Sequence, residues 1–258
     1  MKLSVVVPAR NEADCVGSTI RAIAQILRHE LIPSEILVVD DGSTDGTTRV
    51  VLEAASEYPE ILLIQNHGPQ GFGYAVRAGL SAYSGDAVAV MMADNSDSAQ
   101  DLVTYYRKLL SGSECVFGSR FIKGGRVIDY PLHKLVINRA ANRFIALLFN
   151  LRLNDTTNAF KCYRRHVIDG LQPLLSAHFN LTVELPLKAI VRGYSYTIVP
   201  ISWQNRATGV SKLKLREMGS RYLFIVLYAL IEKLLSRGDY ARRTTAPAES
   251  VKQGSPHA

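Results

Sequence analysis

Short apolar runs recur along the chain, each followed by polar turn-forming residues and then a longer amphipathic stretch. Leu3-Ser4-Val5-Val6-Val7, Ile36-Leu37-Val38-Val39, Ile61 to Gln65 and Ala87-Val88-Ala89-Val90-Met91 are the first four. They are too short for helices and lack the polar alternation of a half-exposed strand, so they read as strands of a parallel sheet buried on both faces. Pro8 ends the first strand and Asn11-Glu12 opens a helix to about Arg28. Ser43 or Thr44 caps the helix after the second strand. Gly68-Pro69-Gln70-Gly71-Phe72-Gly73 leads into a third helix through Ala75 to Leu80. A fifth strand begins at Val116, a helix covers about Lys134 to Asn150, another begins at Glu184, and Tyr196 to Ile201 is the last core strand. This repetition predicts an α/β fold, a mostly parallel sheet flanked by helices.

The acids fall where such a sheet binds ligands. Asp40 and Asp41 directly follow the second strand, at its carboxyl end. An Asx-turn that merely starts a helix explains a single Asp-Gly-Ser. Two adjacent acids suit the polar edge of a base or a ribose. Asp94 and Asp97 follow the fourth strand, where Asp94 either caps the helix near Ala99 or ligates a metal. The glycines at 68–73 do not match the dinucleotide fingerprint, which follows a first strand and carries an acid about 20 residues on.

Charge sharpens this division. Residues 1–119 hold 8 Lys/Arg against 15 Asp/Glu, whereas residues 120–258 hold 22 against 8. An acidic first half fits a nucleotide and metal site, and a basic second half fits phosphates or an anionic membrane face. Nucleic acid is disfavoured, since no helix-turn-helix, RNA-recognition or zinc-finger pattern is present. Cys15, Cys115 and Cys162 lack C-x-x-C spacing, which argues for a reducing compartment and against structural zinc. The N-terminus enters a strand directly, so no signal peptide is expected.

Val6-Val7-Pro8-Ala9-Arg10-Asn11-Glu12 followed by Val38-Val39-Asp40-Asp41-Gly42-Ser43-Thr44-Asp45 resembles the opening of the family-2 glycosyltransferases. Later motifs, within about residues 3 to 215, resemble the polyprenyl-phosphate sugar transferase branch, which is dolichol-phosphate mannose synthase-like. The resemblance implies a GT-A-like, Rossmann-type sheet and an inverting transfer of sugar from a nucleotide-diphosphate sugar to a polyprenyl phosphate. Pro8, Ala9, Glu12, Asp40, Asp41 and Arg77 would then bind the nucleotide. The family's Asp-x-Asp metal motif reads Met92-Ala93-Asp94 here, so Met92 stands in place of the first acid. A thioether is a poor ligand for Mg²⁺ or Mn²⁺. Asp94 would hold the divalent cation with the diphosphate and water, with Asp97 contributing through a turn.

Gly118-Ser119-Arg120-Phe121-Ile122-Lys123-Gly124-Gly125 resembles the family's acceptor-side loop. From Arg120 to Arg165 ten Lys/Arg face only Asp129 and Asp155. Such a run is usually a solvated face, but a phosphate-monoester acceptor needs fixed cations, and Arg supplies a bidentate fork. Arg120, Arg139 and Arg143 are the candidate acceptor-phosphate cluster. Asp155 and Phe160 match the family's Asp-x-Thr-Ser-Gly-Phe segment, with Asn158 and Ala159 replacing its serine and glycine. By motif, Asp155 would orient the acceptor, bind metal or act as base, or else simply form a turn. Arg206, Gly209, Ser211 and Lys212 match Arg-x-x-Gly-x-Ser-Lys, a loop suited to closing over the diphosphate.

Residues 1–212 are therefore expected to form the catalytic domain, 213–240 an amphipathic helical extension, and 241–258 a disordered tail. The longest uncharged apolar run, Tyr222 to Ile231, is far below the roughly 20 residues that span a bilayer. Flanking cations suit a membrane surface, and the same composition suits a homodimer contact or a core helix. The expected placement is cytoplasmic, peripheral to the membrane's cytoplasmic face. A soluble or polysaccharide acceptor, and a non-catalytic nucleotide-sugar-binding relative, are the competing readings.

Overall fold

The computed structural model describes residues 1–205 and 215–242. Its strands are β1 (Leu3–Ala9), β2 (Ser34–Asp40), β3 (Ile61–Gln65), β4 (Ala87–Val90), β5 (Cys115–Ser119), β6 (Arg126–Ile128), β7 (Lys161–Arg164), β8 (Tyr196–Pro200) and β9 (Ser202–Gln204). Its helices are α1 (Ala13–His29), α2 (Thr47–Glu57), α3 (Phe72–Ala82), α4 (Gln100–Leu110), α5 (Leu132–Phe149), α6 (Arg165–Gly170), α7 (Leu181–Val191) and α8 (Leu215–Leu235).

Seven strands form one sheet in the order β3-β2-β1-β4-β7-β5-β8. All neighbours are parallel except β7, which runs antiparallel between β4 and β5. Every residue of β1 and of β4 is buried, as expected for strands covered on both faces. One face packs against α1, α2 and α4 through Val5, Val7, Ile20, Ile23 and Leu102. The other packs against α3, α6 and α7 through Val6, Val39, Val76, Val167 and Leu185. A third cluster joins α5, α7 and α8 through Ile145, Phe149, Leu187, Ile225 and Val226.

The alternating pattern thus builds the predicted mostly parallel sheet. The unforeseen element is β7, in a segment read from its motif as a turn before basic residues. The small parallel pair β6 and β9 also escapes the pattern, because each has only three residues. The α7 helix begins three residues before Glu184, and α8 follows as the expected C-terminal helix. Among the described residues, no helix is long and apolar enough to cross a membrane.

Candidate functional site

The carboxyl ends of β1, β2 and β4 lie side by side, and loops from that edge open onto a cleft of about 670 Å³. Pro8, Ala9, Glu12 and Asp41 line its first side. Two loops interlock to fix this wall. Ser43 Oγ accepts from Asn11 N at 3.0 Å, and Asn11 Oδ1 accepts from Thr44 N at 2.8 Å. Asp45 accepts from Ala13 N, and Thr47 Oγ1 accepts from Glu12 N at 2.9 Å. Asn11 sits at φ 51°, a left-handed conformation that asparagine tolerates better than most residues.

Asp40 and Asp41 do different jobs. Asp41 lines the cleft and accepts from Asn66 Nδ2 at 2.6 Å and Gly71 N at 2.8 Å, so it also organises the 66–71 loop. Asp40 does not line the cleft. Its carboxylate accepts from Ser43 N at 2.8 Å and Thr48 Oγ1 at 2.5 Å, closing the turn into α2. Burial alone would push its pKa up, but these hydrogen bonds outweigh burial and hold it below the usual value. In this structure the Asp40 carboxylate thus serves the turn that starts α2.

Arg77 is likewise absent from the lining. Its guanidinium donates to Leu174 O at 2.5 Å and stacks over Tyr74, tying α3 to the 170–177 segment. The start of α3 nonetheless borders the cleft through Gln70, Gly71 and Phe72. A Cβ on Gly73 would lie 2.4 Å from Ser176 O, so only glycine lets the helix approach this close.

Asp94, Asp97 and Met92 form the floor. The loop carrying them is pinned to α1, where Thr19 Oγ1 accepts from Asn95 N at 3.1 Å and lies 3.0 Å from Ala93 O. Asp94 Oδ1 accepts from Ser96 N at 3.1 Å, and Asp97 Oδ2 accepts from Met92 N at 3.2 Å. Among the described residues, Asp97 Oδ1 is buried without a hydrogen-bond partner. Burial, reinforced by nearby Asp94, pushes the Asp97 carboxyl up to about 7.

The opposite wall holds Arg120, Tyr130, Lys134, Asn138, Thr157 and Tyr222. Arg120 grips Asp155 through a two-pronged ion pair, Nε to Oδ2 at 2.8 Å and Nη2 to Oδ1 at 2.7 Å, and its backbone N donates to Oδ2 as well. Asp155 is 0 % exposed and absent from the lining, so it presents no oxygen to the cleft. Its hydrogen bonds orient Arg120. Burial opposes the Arg120 charge, but the Asp155 carboxylate overcomes this and raises the guanidinium pKa.

Arg139 and Arg143 do not join Arg120 in the lining. Arg139 donates to Asn154 O at 3.1 Å and lies over Phe121, while Arg143 is exposed on the outer face of α5. The cationic side chains that do line this end are Lys134 and Arg221, together with Arg120. The helical spacing from Lys134 to Asn138 puts both on the α5 face turned to the cleft. That face was the readable signal, and the Arg cluster was chosen on chemistry alone. Arg206, Ser211 and Lys212 lie outside the described residues.

Comparison with known proteins fits this geometry. The family model described as glycosyl transferase family 2 matches residues 4–171. The chain belongs to glycosyl transferase family 2. It is 31% identical over 215 residues to the polyprenol monophosphomannose synthase of Mycolicibacterium smegmatis, covering 81% of this chain and 80% of the relative. It is 32% identical over 217 residues to the dolichol-phosphate mannosyltransferase of Pyrococcus furiosus, covering 83% of this chain but 60% of that longer relative. A solved structure of glucosyl-3-phosphoglycerate synthase from Mycobacterium tuberculosis, in complex with Mn²⁺ and UDP-glucose, superposes with a TM-score of 0.67. It is 19% identical, covering 90% of this chain and 78% of that one.

As a family-2 member with the GT-A fold, this chain is a nucleotide-sugar-dependent glycosyltransferase. Within the family it departs at the metal motif, where the Met92 side chain lines the cleft beside Asp94. Among the described residues, no group of three or more His, Cys, Asp and Glu side chains converges as a metal cage. Two carboxylates with an unspent buried oxygen do fit a hard cation that takes its remaining ligands from a diphosphate and water.

Proposed function

We propose that the cleft transfers a sugar, with inversion, from a nucleotide-diphosphate sugar to a polyprenyl phosphate held at a membrane surface. The observation that carries this is the pairing of an acidic strand-tip wall with a cationic wall formed partly by α5 and α8, whose outer faces are apolar. Leu132, Val136, Phe144 and Leu147 on α5 and Leu223, Phe224, Ile231 and Leu234 on α8 are each at least half exposed. Residues 130–154 contain no acid, and of the two acids in the α8 sequence, Glu217 and Glu232, the second is buried against Arg192. Apolar helix faces with cations and few free acids suit the interface of an anionic bilayer. The two relatives' names, a polyprenol monophosphomannose synthase and a dolichol-phosphate mannosyltransferase, support the same class of acceptor.

In this reading Pro8, Ala9, Glu12 and Asp41 hold the nucleoside, and Arg206, Ser211 and Lys212 close on the diphosphate. Asp94 and Asp97 would hold Mg²⁺ or Mn²⁺, which would offset charge on the departing diphosphate. Arg120, with Lys134 and Arg221 nearby, receives the acceptor phosphate. An acceptor phosphate oxygen forms the new bond to the anomeric carbon as the bond to the nucleoside diphosphate breaks. The leaving group takes the electron pair, and the opposite approach of the two groups inverts the centre. At neutral pH the phosphate is already anionic, so no strong base is required, in keeping with a buried Asp155.

A nucleotide-sugar panel tests the donor half by thermal shift with and without Mn²⁺, since a ligand held only by the folded state raises apparent stability. A shift for one nucleotide-sugar class, enlarged by Mn²⁺, is expected. Transfer to a soluble acceptor with none to lipid phosphate would reject the acceptor assignment. Donor binding with no transfer to any acceptor would favour a non-catalytic relative.

A further inference from the structure

One aromatic corner of the cleft has no role in holding the nucleoside, the diphosphate or the acceptor phosphate. Trp203, the single tryptophan of the chain, lies on β9 and lines the cleft beside Asp97, Arg120 and Tyr130. Its backbone is clamped on both sides, in register with Val127 of β6 and bridged to Asp97. Gln204 N donates to Ser96 O at 2.9 Å, and Ser202 N donates to Asp101 Oδ2 at 2.9 Å. The corner is therefore rigidly tied to the Asp94–Asp97 loop. The Tyr130 ring stands 4.9 Å from the indole at 59°, and the Arg120 guanidinium carbon is 5.5 Å from the indole centre. The indole is half-buried, and its Nε1–H has no acceptor among the described residues.

A flat apolar face with an unspent N–H donor is amphipathic as a pyranose is, with a C–H face rimmed by hydroxyl oxygens. An isoprenoid chain would cover the ring but offers no acceptor to the N–H. A nucleobase offers both, yet Asp41 on the nucleoside side is separated from this corner by the tips of β1 and β4. The corner lies instead between Asp94, beside the diphosphate, and Arg120, beside the acceptor phosphate. A sugar whose anomeric carbon leaves one and joins the other has to occupy that interval.

We propose that Trp203, with Tyr130 as the second wall, is the platform on which the donor's pyranose ring lies, its Nε1–H donating to a sugar hydroxyl. This rests on the cleft being the donor site. The chain's only indole is also its own reporter. Intrinsic fluorescence is followed while wild-type protein is titrated with GDP-mannose, UDP-glucose and UDP-N-acetylglucosamine, then with GDP and UDP. The nucleotide sugar that binds should change Trp203 emission, whereas its nucleoside diphosphate alone should leave the emission nearly unchanged. By calorimetry, Trp203→Ala should weaken that nucleotide sugar about tenfold while leaving the nucleoside diphosphate unaffected, and Trp203→Phe should recover most of the loss. The KM for donor should rise while the KM for lipid acceptor stays constant.

Calorimetric binding of a nucleotide sugar with silent fluorescence would overturn the proposal, and this arm needs no variant to fold. A loss confined to the KM for lipid acceptor would also overturn it, assigning the corner to the isoprenoid. If wild-type protein binds none of the nucleotides, the cleft is not the donor site and both readings fall.

Discussion

The two walls of the cleft are held by different physics. The wall at the tips of β1, β2 and β4 is acidic and fixed by many hydrogen bonds, such as those linking Asn11, Ser43 and Thr44. The opposite wall rests on buried ion pairs. Arg120–Asp155, Lys188–Glu184 and Arg192–Glu232 all have side chains no more than 6 % exposed. Losing one hydrogen bond from the first wall costs about 0.5–1.5 kcal/mol, whereas stripping one partner from a buried pair costs about 3–5 kcal/mol. The strand-tip wall should therefore be sensitive in activity and tolerant in stability, and the ion-paired wall fragile in both.

The largest effect expected is on rate. Asp94→Asn keeps the acceptor for Ser96 N but loses the charge, so kcat should fall roughly a thousandfold while the urea midpoint barely moves. A stability loss as large as that of an ion-paired-wall variant would break the contrast. Next comes Asp155→Ala, which leaves the Arg120 guanidinium buried without its partner. Urea unfolding should report a loss of about 3–5 kcal/mol, and Asp155→Leu combined with Arg120→Met should regain much of it without regaining activity. A single-variant loss below about 1 kcal/mol would place both walls in one class.

A smaller effect concerns the outer surface. Leu147→Asp with Phe224→Asp alters exposed positions, so stability should change by less than about 1 kcal/mol. Partition onto anionic vesicles at physiological salt should nonetheless fall about tenfold. Unchanged partition, with altered sedimentation instead, would assign the face to a second copy of the chain.

The smallest effect is in pH dependence. Lys161 is wholly buried, donating to Thr156 O, Asn158 O and Thr182 O, with Asp155, Arg120 and Asp97 as its charged neighbours. Burial pulls its pKa from 10.5 down to about 7. Between those values the unfolded chain holds a proton that the folded one has released, so this group's contribution to stability rises with pH across that window. Urea midpoints from pH 7 to 9 should climb in the wild type and climb less in Lys161→Met.

What the sequence made legible follows the same division. The strand-tip wall consists of strand, loop and helix units contiguous in the chain, so the short motifs that carry Pro8, Glu12, Asp41 and Asp94 meet at one cleft. Asp40, one residue earlier on the strand, points the other way and meets Ser43 and Thr48. The ion-paired wall depends on meetings far apart in the chain. Asp155 finds Arg120 across 35 residues and Glu232 finds Arg192 across 40, distances over which no periodicity speaks. The insertion of β7 between β4 and β5 was hidden because its four residues include Lys161 and Arg164, which do not read as a buried strand. Trp203 lies just before the Arg-x-x-Gly-x-Ser-Lys segment, and its place beside Asp97 emerges only from the β6–β9 pairing and the bridge to Asp97.

Whether one cleft joins a nucleotide sugar to a lipid phosphate is read from transfer itself. Wild-type protein on anionic vesicles carrying a polyprenyl phosphate is supplied with each anomerically labelled nucleotide sugar, and the lipid fraction is read by NMR. A glycosyl phosphodiester of inverted anomeric configuration is expected, formed in step with free nucleoside diphosphate and lost in Arg120→Ala. A retained configuration, or nucleoside diphosphate released without any lipid-linked sugar, would contradict it.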